Sequence, residues 1–425
     1  MKKSRDKRIG LFLLFLLIAF SGEALAEGWT PELKSHPAGP SRFLAISKKK
    51  QRFFIFEQKS PLSLVNDLAC TTGEKEGDKL VEGDLRTPEG VYFIQSRKDE
   101  GLDFDLYGNL AFTLNFPNPV DRLRGKTGFG IWIHGRGHDI VPRETKGCIA
   151  LNNNDISGLD PLLGRNMPVV VARDLIWSGQ IEQSKAPKEL LSRVEAWAQA
   201  WKNKDDAFFS FYDPQKYSQA QNDSFSAFKN HKKGLFNSLP WIEVRLYDLR
   251  FMPGPGYWVT WFNQFYRSPS LTSQGIKRLY WELDDSGQFR IVGKEWDEGV
   301  ELDLEKRYIQ SVSAQAGSIL EKWRKAWEAG DIDAYKMFYV PDVVQGNRKG
   351  IDTIVSYKKQ VWDQARPKKV IIDGLKFDLH PEGLKVRFKQ VYHAGDGYSD
   401  NGFKTLLFRP HDDSWLIANE QWSAR

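Results

Sequence analysis

A repeat constrains the second half of this chain more tightly than any single motif. Trp197-x-x-x-Trp201-x-x-x-Asp205 returns 126 positions later as Trp323-x-x-x-Trp327-x-x-x-Asp331. Gln264-x-Tyr266 returns as Gln390-x-Tyr392, and Trp296 as Trp422, at the same offset. Three independent matches at one offset point to a duplicated domain of about that length. Each copy opens on an amphipathic helix. Leu190, Val194, Trp197 and Trp201 fall at helical spacing, as do Ile319, Leu320, Trp323 and Trp327. Tryptophans so placed are core knobs on a helix face rather than a stack for a ligand. Alternating runs follow at 241–247, 257–265 and 278–283, and again at 370–379, 384–392 and 404–408. Asp284-Asp285 and Asp412-Asp413 read as solvated hairpin turns, not as acid–base pairs. The copies are expected over 186–300 and 313–425.

The opposite end of the chain is not part of a fold. Lys2, Lys3, Arg5, Lys7 and Arg8 form a basic start, residues 11–20 are uninterrupted apolar, and Ala24-Leu25-Ala26 is a small-x-small site. This is the pattern of a secretory signal peptide over 1–26. The apolar run is short for a bilayer span. No stable transmembrane helix is expected after cleavage, and the location expected is the periplasm. Removing that segment lowers the formal charge from +6 to +3. No basic block with interleaved aromatics suggests a nucleic-acid groove. The two cysteines, Cys70 and Cys148, are read as free thiols, with Cys70 a small buried hydrophobe.

Residues 27–40 hold three prolines and read as an extended lead-in. Beyond them, 43–46 and 52–56 flank a charged turn, a hairpin signal. A strand over 62–72 ends in Thr-Thr-Gly, and Arg86-Thr87-Pro88-Glu89-Gly90 turns into a strand at 91–94. The stretch 106–130, with Leu114-Asn115-Phe116-Pro117-Asn118-Pro119, reads as irregular. It is either a plain loop or the wall of a substrate groove, with Asn115 and Asn118 as contacts.

Chemistry concentrates at 131–151. Ile131-Trp132-Ile133 ends in His134-Gly135, and Thr145-Lys146-Gly147-Cys148 opens a second apolar run. A thiol becomes a strong nucleophile only as thiolate, so it needs a base or positive charge nearby. His134 suits the base, Lys146 adds positive potential, and Gly147 allows backbone amides to approach an oxyanion.

The whole arrangement resembles the catalytic motif of the L,D-transpeptidase (YkuD) family: His-Gly, a loop, then Ser/Thr-x-Gly-Cys and an apolar residue. The succession of hairpin, Thr-Gly strand end and Thr-Pro-x-Gly turn extends the resemblance over about 41–173, and the domain is expected over 41–175. The fold class expected is therefore a mainly β YkuD-type catalytic domain followed by two α+β cones that resemble the NTF2-like fold. The resemblance implies peptidoglycan stem peptides as substrate and no metal or organic cofactor. In it Cys148 attacks the L-centre carbonyl of diaminopimelate in a tetrapeptide and expels D-alanine. His134 moves the protons, Gly135 orients the imidazole through its carbonyl, and amides at Gly147 and Cys148 hold the oxyanion. The acyl-enzyme passes to an amine, a cross-link, or to water, an L,D-carboxypeptidase step. An amidase that frees lipoproteins from the wall and an inactive wall-binding scaffold are the rival readings.

One position departs from the family. Two residues past the cysteine the usual Arg or Asn is Ala150, which leaves the substrate carboxylate contact open. Arg136, His138 and Arg143 are candidates for it, beside Thr145 and Lys146, and each is also readable as loop surface charge. A variant motif with a trailing NTF2-like module resembles cell-shape L,D-carboxypeptidases of curved and helical bacteria, which carry one such module rather than two. The cones are read as binding or positioning modules, for glycan or peptide or for a homodimer contact.

Overall fold

The computed structural model describes residues 28–424, so the signal peptide expected over 1–26 lies outside the described residues. The front of the molecule is built on ten strands, most of them in one mixed sheet. Its strands are β1 (Glu32–Ser35), β2 (Arg42–Ser47), β3 (Arg52–Glu57), β4 (Ser63–Ala69), β5 (Gly90–Lys98), β6 (Ala111–Leu114), β7 (Trp132–His134), β8 (Ile149–Ala150), β9 (Pro168–Ala172) and β10 (Ile176–Ile181). Three short helices interrupt them, α1 (Phe104–Tyr107), α2 (Pro119–Leu123) and α3 (Asn153–Leu159). Eight of the strands form one sheet in the order β4-β3-β2-β9-β5-β6-β7-β8. The lead-in does more than extend: β1 pairs in parallel with β10 as a separate two-stranded ribbon.

Central strands β2 and β9 are apolar without alternation because both faces are buried. Period two then sorts the side chains. Leu44, Ile46, Tyr92, Ile94, Val169 and Val171 enter one core, beneath β7 and β8. Phe43, Ala45, Val91, Phe93 and Val170 point the other way. They pack with Tyr257, Val259, Trp261, Ile276 and Tyr280 of the next unit in a single cluster. Phe93 meets Trp261 edge-on at 5.2 Å, and the Arg278 guanidinium lies 4.2 Å over the Phe93 ring while pairing with Glu295 at 3.2 Å. At roughly 1.5–3 kcal/mol per large apolar side chain buried, this junction is a core rather than a contact.

The first cone comprises α4 (Lys185–Lys202), α5 (Pro214–Gln221), α6 (Phe225–Ser238), β11 (Glu243–Gly254), β12 (Tyr257–Ser268), β13 (Leu271–Leu283) and β14 (Phe289–Asp297). Its strands pair in sequence as an antiparallel meander. Leu190, Val194, Trp197 and Trp201 of α4 are buried in its core, as their spacing predicts.

The second cone comprises α7 (Leu304–Ala329), α8 (Ile332–Lys336), β15 (Tyr339–Gln345), β16 (Arg348–Lys349), α9 (Ile351–Gln364), β17 (Pro367–His380), β18 (Gly383–Ala394), β19 (Ser399–His411) and β20 (Ser414–Ala424). The sheet order is β16-β15-β20-β19-β18-β17. Trp323 and Trp327 are again core residues, and the two Asp-Asp pairs sit at the β13–β14 and β19–β20 turns. The ring of Phe265 of β12 lies 5.0 Å from that of Tyr308 of α7, tilted against it, and Arg267 donates to the carbonyls of His380 and Gly383, so the cones are also joined.

The stretch expected to be irregular is a correction. Asn118 caps α2, accepting from the N–H groups of Val120 and Asp121, while Asp121 accepts from the Asn118 N–H in return. Pro119 takes the first helical position, where a missing N–H costs nothing. Asparagine followed by proline breaks a helix inside it and starts one at its head.

Candidate active site

Strand β7 ends at His134 and runs parallel to β8, with Ile133 opposite Ile149 and His134 opposite Ala150. Continuing that register puts Cys148 opposite Trp132. Residues two apart on a strand share a face, so the imidazole and the thiol lie on one face, diagonal to each other. The far end of the loop between them is held by Thr71 and Thr72: the Glu144 N–H donates to the Thr71 hydroxyl at 3.0 Å and the Thr145 N–H to the Thr72 carbonyl at 3.1 Å, while Thr71 exchanges backbone hydrogen bonds with Ala150 of β8 at 2.8 and 2.9 Å.

The histidine is buried and its tautomer is set by a neighbour. Nδ1 donates to the Gly135 carbonyl at 2.6 Å, because a carbonyl only accepts. Nε2 is thereby the nitrogen left to accept a proton. Tyr107 meets the ring edge-on at 5.1 Å. Burial pushes the imidazole down to about 4. Burial also raises the Cys148 thiol above its ordinary value, against smaller downward pulls from the Trp132 N–H, Arg136 and Lys79. The resting pair is therefore neutral thiol and neutral imidazole. The thiol, half-buried, donates to the Gly130 carbonyl at 3.4 Å.

Gly147 has φ +135°, a region closed to side-chain-bearing residues. A Cβ there would also stand 2.9 Å from the Arg86 carbonyl oxygen. Its N–H, however, is occupied: it donates to the Thr145 hydroxyl at 3.2 Å, and that hydroxyl donates to the Cys148 carbonyl at 2.7 Å. Thr145 is thus a buried brace for the turn that presents Cys148.

The remaining sequence candidates separate. Arg136 acts electrostatically on both His134 and Cys148, and its guanidinium is 3.4 Å from the Glu144 carboxylate. Lys146 and His138 are exposed, the latter bonded to the Asp139 carbonyl at 2.9 Å. Arg143 pairs with Glu76 at 2.6 Å and lines a cleft of about 930 Å³ together with Lys48, Arg86 and Arg173. Asn115 and Asn118 correct the groove-wall expectation, since both are buried and spent on structure. Asn115 accepts from the Phe93 N–H at 2.7 Å and donates to Tyr280 and Glu295. Asn118 caps α2 and donates to the Val91 carbonyl at 3.2 Å. Ala150 is fully buried opposite His134.

Sequence reasoning missed Lys79. It is 3% exposed, bonded to Asp84 at 2.9 Å and to the Val81 carbonyl at 3.0 Å, and its charge reaches the thiol. It missed Tyr107 as well. Neither belongs to a local pattern; both are brought in by tertiary packing. Cys70 is buried, and its thiol is pushed up to about 12 by that burial. Among the described residues no group of three or more His, Cys, Asp or Glu is arranged to hold a metal, and no helix is long and apolar enough to cross a membrane.

Comparison with known proteins follows this geometry. Residues 41–171 match the model of the L,D-transpeptidase catalytic domain, YkuD. Residues 189–295 and 315–421 each match the Cds6 C-terminal NTF2-like domain. The chain belongs with the proteins that carry Cds6-type NTF2-like domains, of which it has two, and it bears a YkuD-type L,D-transpeptidase catalytic domain ahead of them. The putative L,D-transpeptidase YafK of Escherichia coli K12 is 29% identical over 159 residues, 35% of this chain. The match spans only 61% of that relative's own length. The helical cell shape determining protein Pgp2 of Campylobacter jejuni is 26% identical, with a TM-score of 0.51 over 62% of this chain and 94% of that one. Bd1075 of Bdellovibrio bacteriovorus is 26% identical over 64% of this chain and 97% of that one, with a TM-score of 0.48.

Proposed function

We propose that this L,D-transpeptidase-family protein is an exported peptidoglycan-modifying enzyme that works through a Cys148 acyl-enzyme on tetrapeptide stems. One observation carries the reading: the Gly135 carbonyl holds the imidazole by Nδ1, leaving Nε2 to accept on the face shared with the thiol. The thiol proton passes to Nε2 as sulfur attacks the L-centre carbonyl of the stem diaminopimelate. The C–N bond to D-alanine breaks, and the imidazolium returns its proton to the departing amine. With the Gly147 N–H engaged by Thr145, the Cys148 N–H is the amide assigned to the oxyanion. The thioester then passes to an amine of a second stem, with His134 taking the incoming proton, or to water. The same two residues serve both outcomes.

The test uses tetrapeptide muropeptides and whole sacculi incubated with the mature protein and with Cys148→Ala, read by mass spectrometry. Dimers joined between two diaminopimelates establish transpeptidation. Tripeptide stems alone establish L,D-carboxypeptidase trimming. Identical products from both proteins on every substrate sink the enzyme and leave a wall-binding scaffold.

A further inference from the structure

The catalytic domain meets the first cone along the cleft of about 930 Å³ that Arg143 borders, a size within the range of ligand pockets. Neither His134 nor Cys148 lines it. Its walls come from Trp29, the stretch around Gly77, Arg86, Arg173 just past β9, and Pro255 in the turn between β11 and β12. Trp29 is pinned in place. Its N–H donates to the Glu89 carboxylate at 2.7 Å, and its carbonyl accepts from the Arg173 N–H at 2.9 Å. Seven of the lining residues are cationic and only three are acidic.

The buried cations among them are already spent. The Lys48 ammonium donates to the carbonyls of Gly77 at 2.5 Å and Thr87 at 2.7 Å, and it pairs with Glu89 at 3.0 Å. The Lys126 ammonium lies between Asp78 at 2.7 Å and Asp121 at 2.9 Å. Two lysines against three carboxylates leave no positive charge over.

The half-buried guanidiniums of Arg86 and Arg173 are unspent. Neither has a hydrogen-bond or ion-pair partner among the described residues. Arg86 is the sharper case, because its Nε is fully enclosed without an acceptor. Arg42, Arg136, Arg267 and Arg278 also have an enclosed, unpaired Nε. Each of those four anchors its terminal nitrogens elsewhere, on Glu57, on the Glu144 carbonyl, on the carbonyls of His380 and Gly383, and on Glu295. Arg86 anchors nothing. A guanidinium carries five donors in a fixed fork, and drawing it partly out of water without acceptors is unfavourable. Lys49 and Arg143 add positive potential, since their pairs with Asp174 at 3.8 Å and with the exposed Glu76 at 2.6 Å are of the weak surface kind. Surplus cations around a walled cleft concentrate the field on an anion. One carboxylate offers two oxygens and occupies a single fork. Two forks with two further cations call for more oxygens and more charge, which a phosphate group supplies with three acceptor oxygens and nearly two charges.

We propose that this cleft binds a phosphate-bearing ligand, with Arg86 and Arg173 as the forks that grip it. The binding does not rest on the acyl-enzyme chemistry proposed above. The test is calorimetric titration of the mature protein carrying Cys148→Ala, at physiological ionic strength. The titrants are sodium tripolyphosphate, a short poly(glycerol phosphate) chain and an anionic stem tetrapeptide. A phosphate titrant is expected to fill one saturable site. Arg86→Gln and Arg173→Gln are each expected to raise its dissociation constant about ten-fold or more. Lys188→Gln, which removes an exposed charge on α4, is expected to leave it unchanged. Thermal melts confirm that the variants are folded, and Arg173→Gln alone decides if Arg86→Gln does not fold. Tighter binding of tripolyphosphate marks a free oligophosphate as the source, and tighter binding of the chain a phosphodiester polymer. The proposal is overturned if neither phosphate titrant binds, or if Lys188→Gln weakens binding as much as the cleft variants do. It is equally overturned if the stem tetrapeptide is the ligand that the two arginine variants release. Activity on muropeptides with Cys148 intact is a separate readout, so failure of either proposal is seen by itself.

Discussion

The imidazole of His134 is held neutral by burial, and this has two measurable consequences. Its value of about 4 lies below that of an ordinary histidine, near 6.5. The unfolded chain therefore binds a proton between those values that the folded chain refuses. Stability is full above about pH 6.5 and falls as pH drops toward 4, by roughly 3 kcal/mol for this group. Melting temperatures recorded from pH 7 to pH 4 should show that loss, and His134→Gln should flatten it. The acid limb of kcat/KM should lie near 4 rather than near 6.5. Rates should keep rising on the alkaline side, because the Cys148 thiol sits above its usual range. Gly147→Ala confronts a positive φ and the Arg86 carbonyl together. It should cost about 1–3 kcal/mol in denaturant unfolding and most of the activity. His134, Gly135, Gly147 and Cys148 stood out as candidates because they lie in one short stretch whose residue types suggest their chemistry. Lys79 and Tyr107 did not, because only the folded chain brings Tyr107 against the His134 ring and Lys79 within electrostatic reach of the thiol.

At the scale of elements, α2 shows how the same residues read differently by position. Asn118 and Pro119 look like breakers in a row of prolines, yet one caps the helix and the other begins it. Asn118→Ala removes the cap and the bond to Val91, leaving buried donors unpaired. It should destabilise the protein by about 1–3 kcal/mol in urea titration, while KM for muropeptides in the folded fraction stays unchanged. A large rise in KM with stability intact would restore the groove-wall role. The helices α4 and α7 were legible for the opposite reason. Their tryptophans recur at helical spacing in both copies, so periodicity and duplication point the same way. The short strand β6 was hidden because it takes its partners, β5 and β7, from either side of it in sequence.

Across the whole molecule the catalytic sheet and the first cone share one core, while the second cone has its own with Phe265 as the lodger. A chain ending near residue 183 would expose Phe93, Val91 and Phe43 and should be insoluble on expression. One ending near residue 300 should remain soluble and keep its activity on muropeptides, with Phe265 newly bare. Soluble, active protein from the shorter chain would show the junction to be dispensable. The order of domains was legible from motif and repeat. The junction was not, because a strand buried on both faces looks the same whichever partner covers it.

Only residues 182–184 separate β10 from α4, and the Glu182 N–H is tied back to the Ser35 carbonyl at 2.9 Å. A tether so short, over a shared core, has no hinge in it. Enzymes that grip a polymer by closing two lobes need such a hinge. If the proposed function holds, a strand of the wall would have to arrive already aligned, and whatever admits or refuses it would belong to the surface loops, of which the stretch between His134 and Cys148 is the nearest. Timing, in this molecule, is a property of loops; alignment is built in when the chain folds.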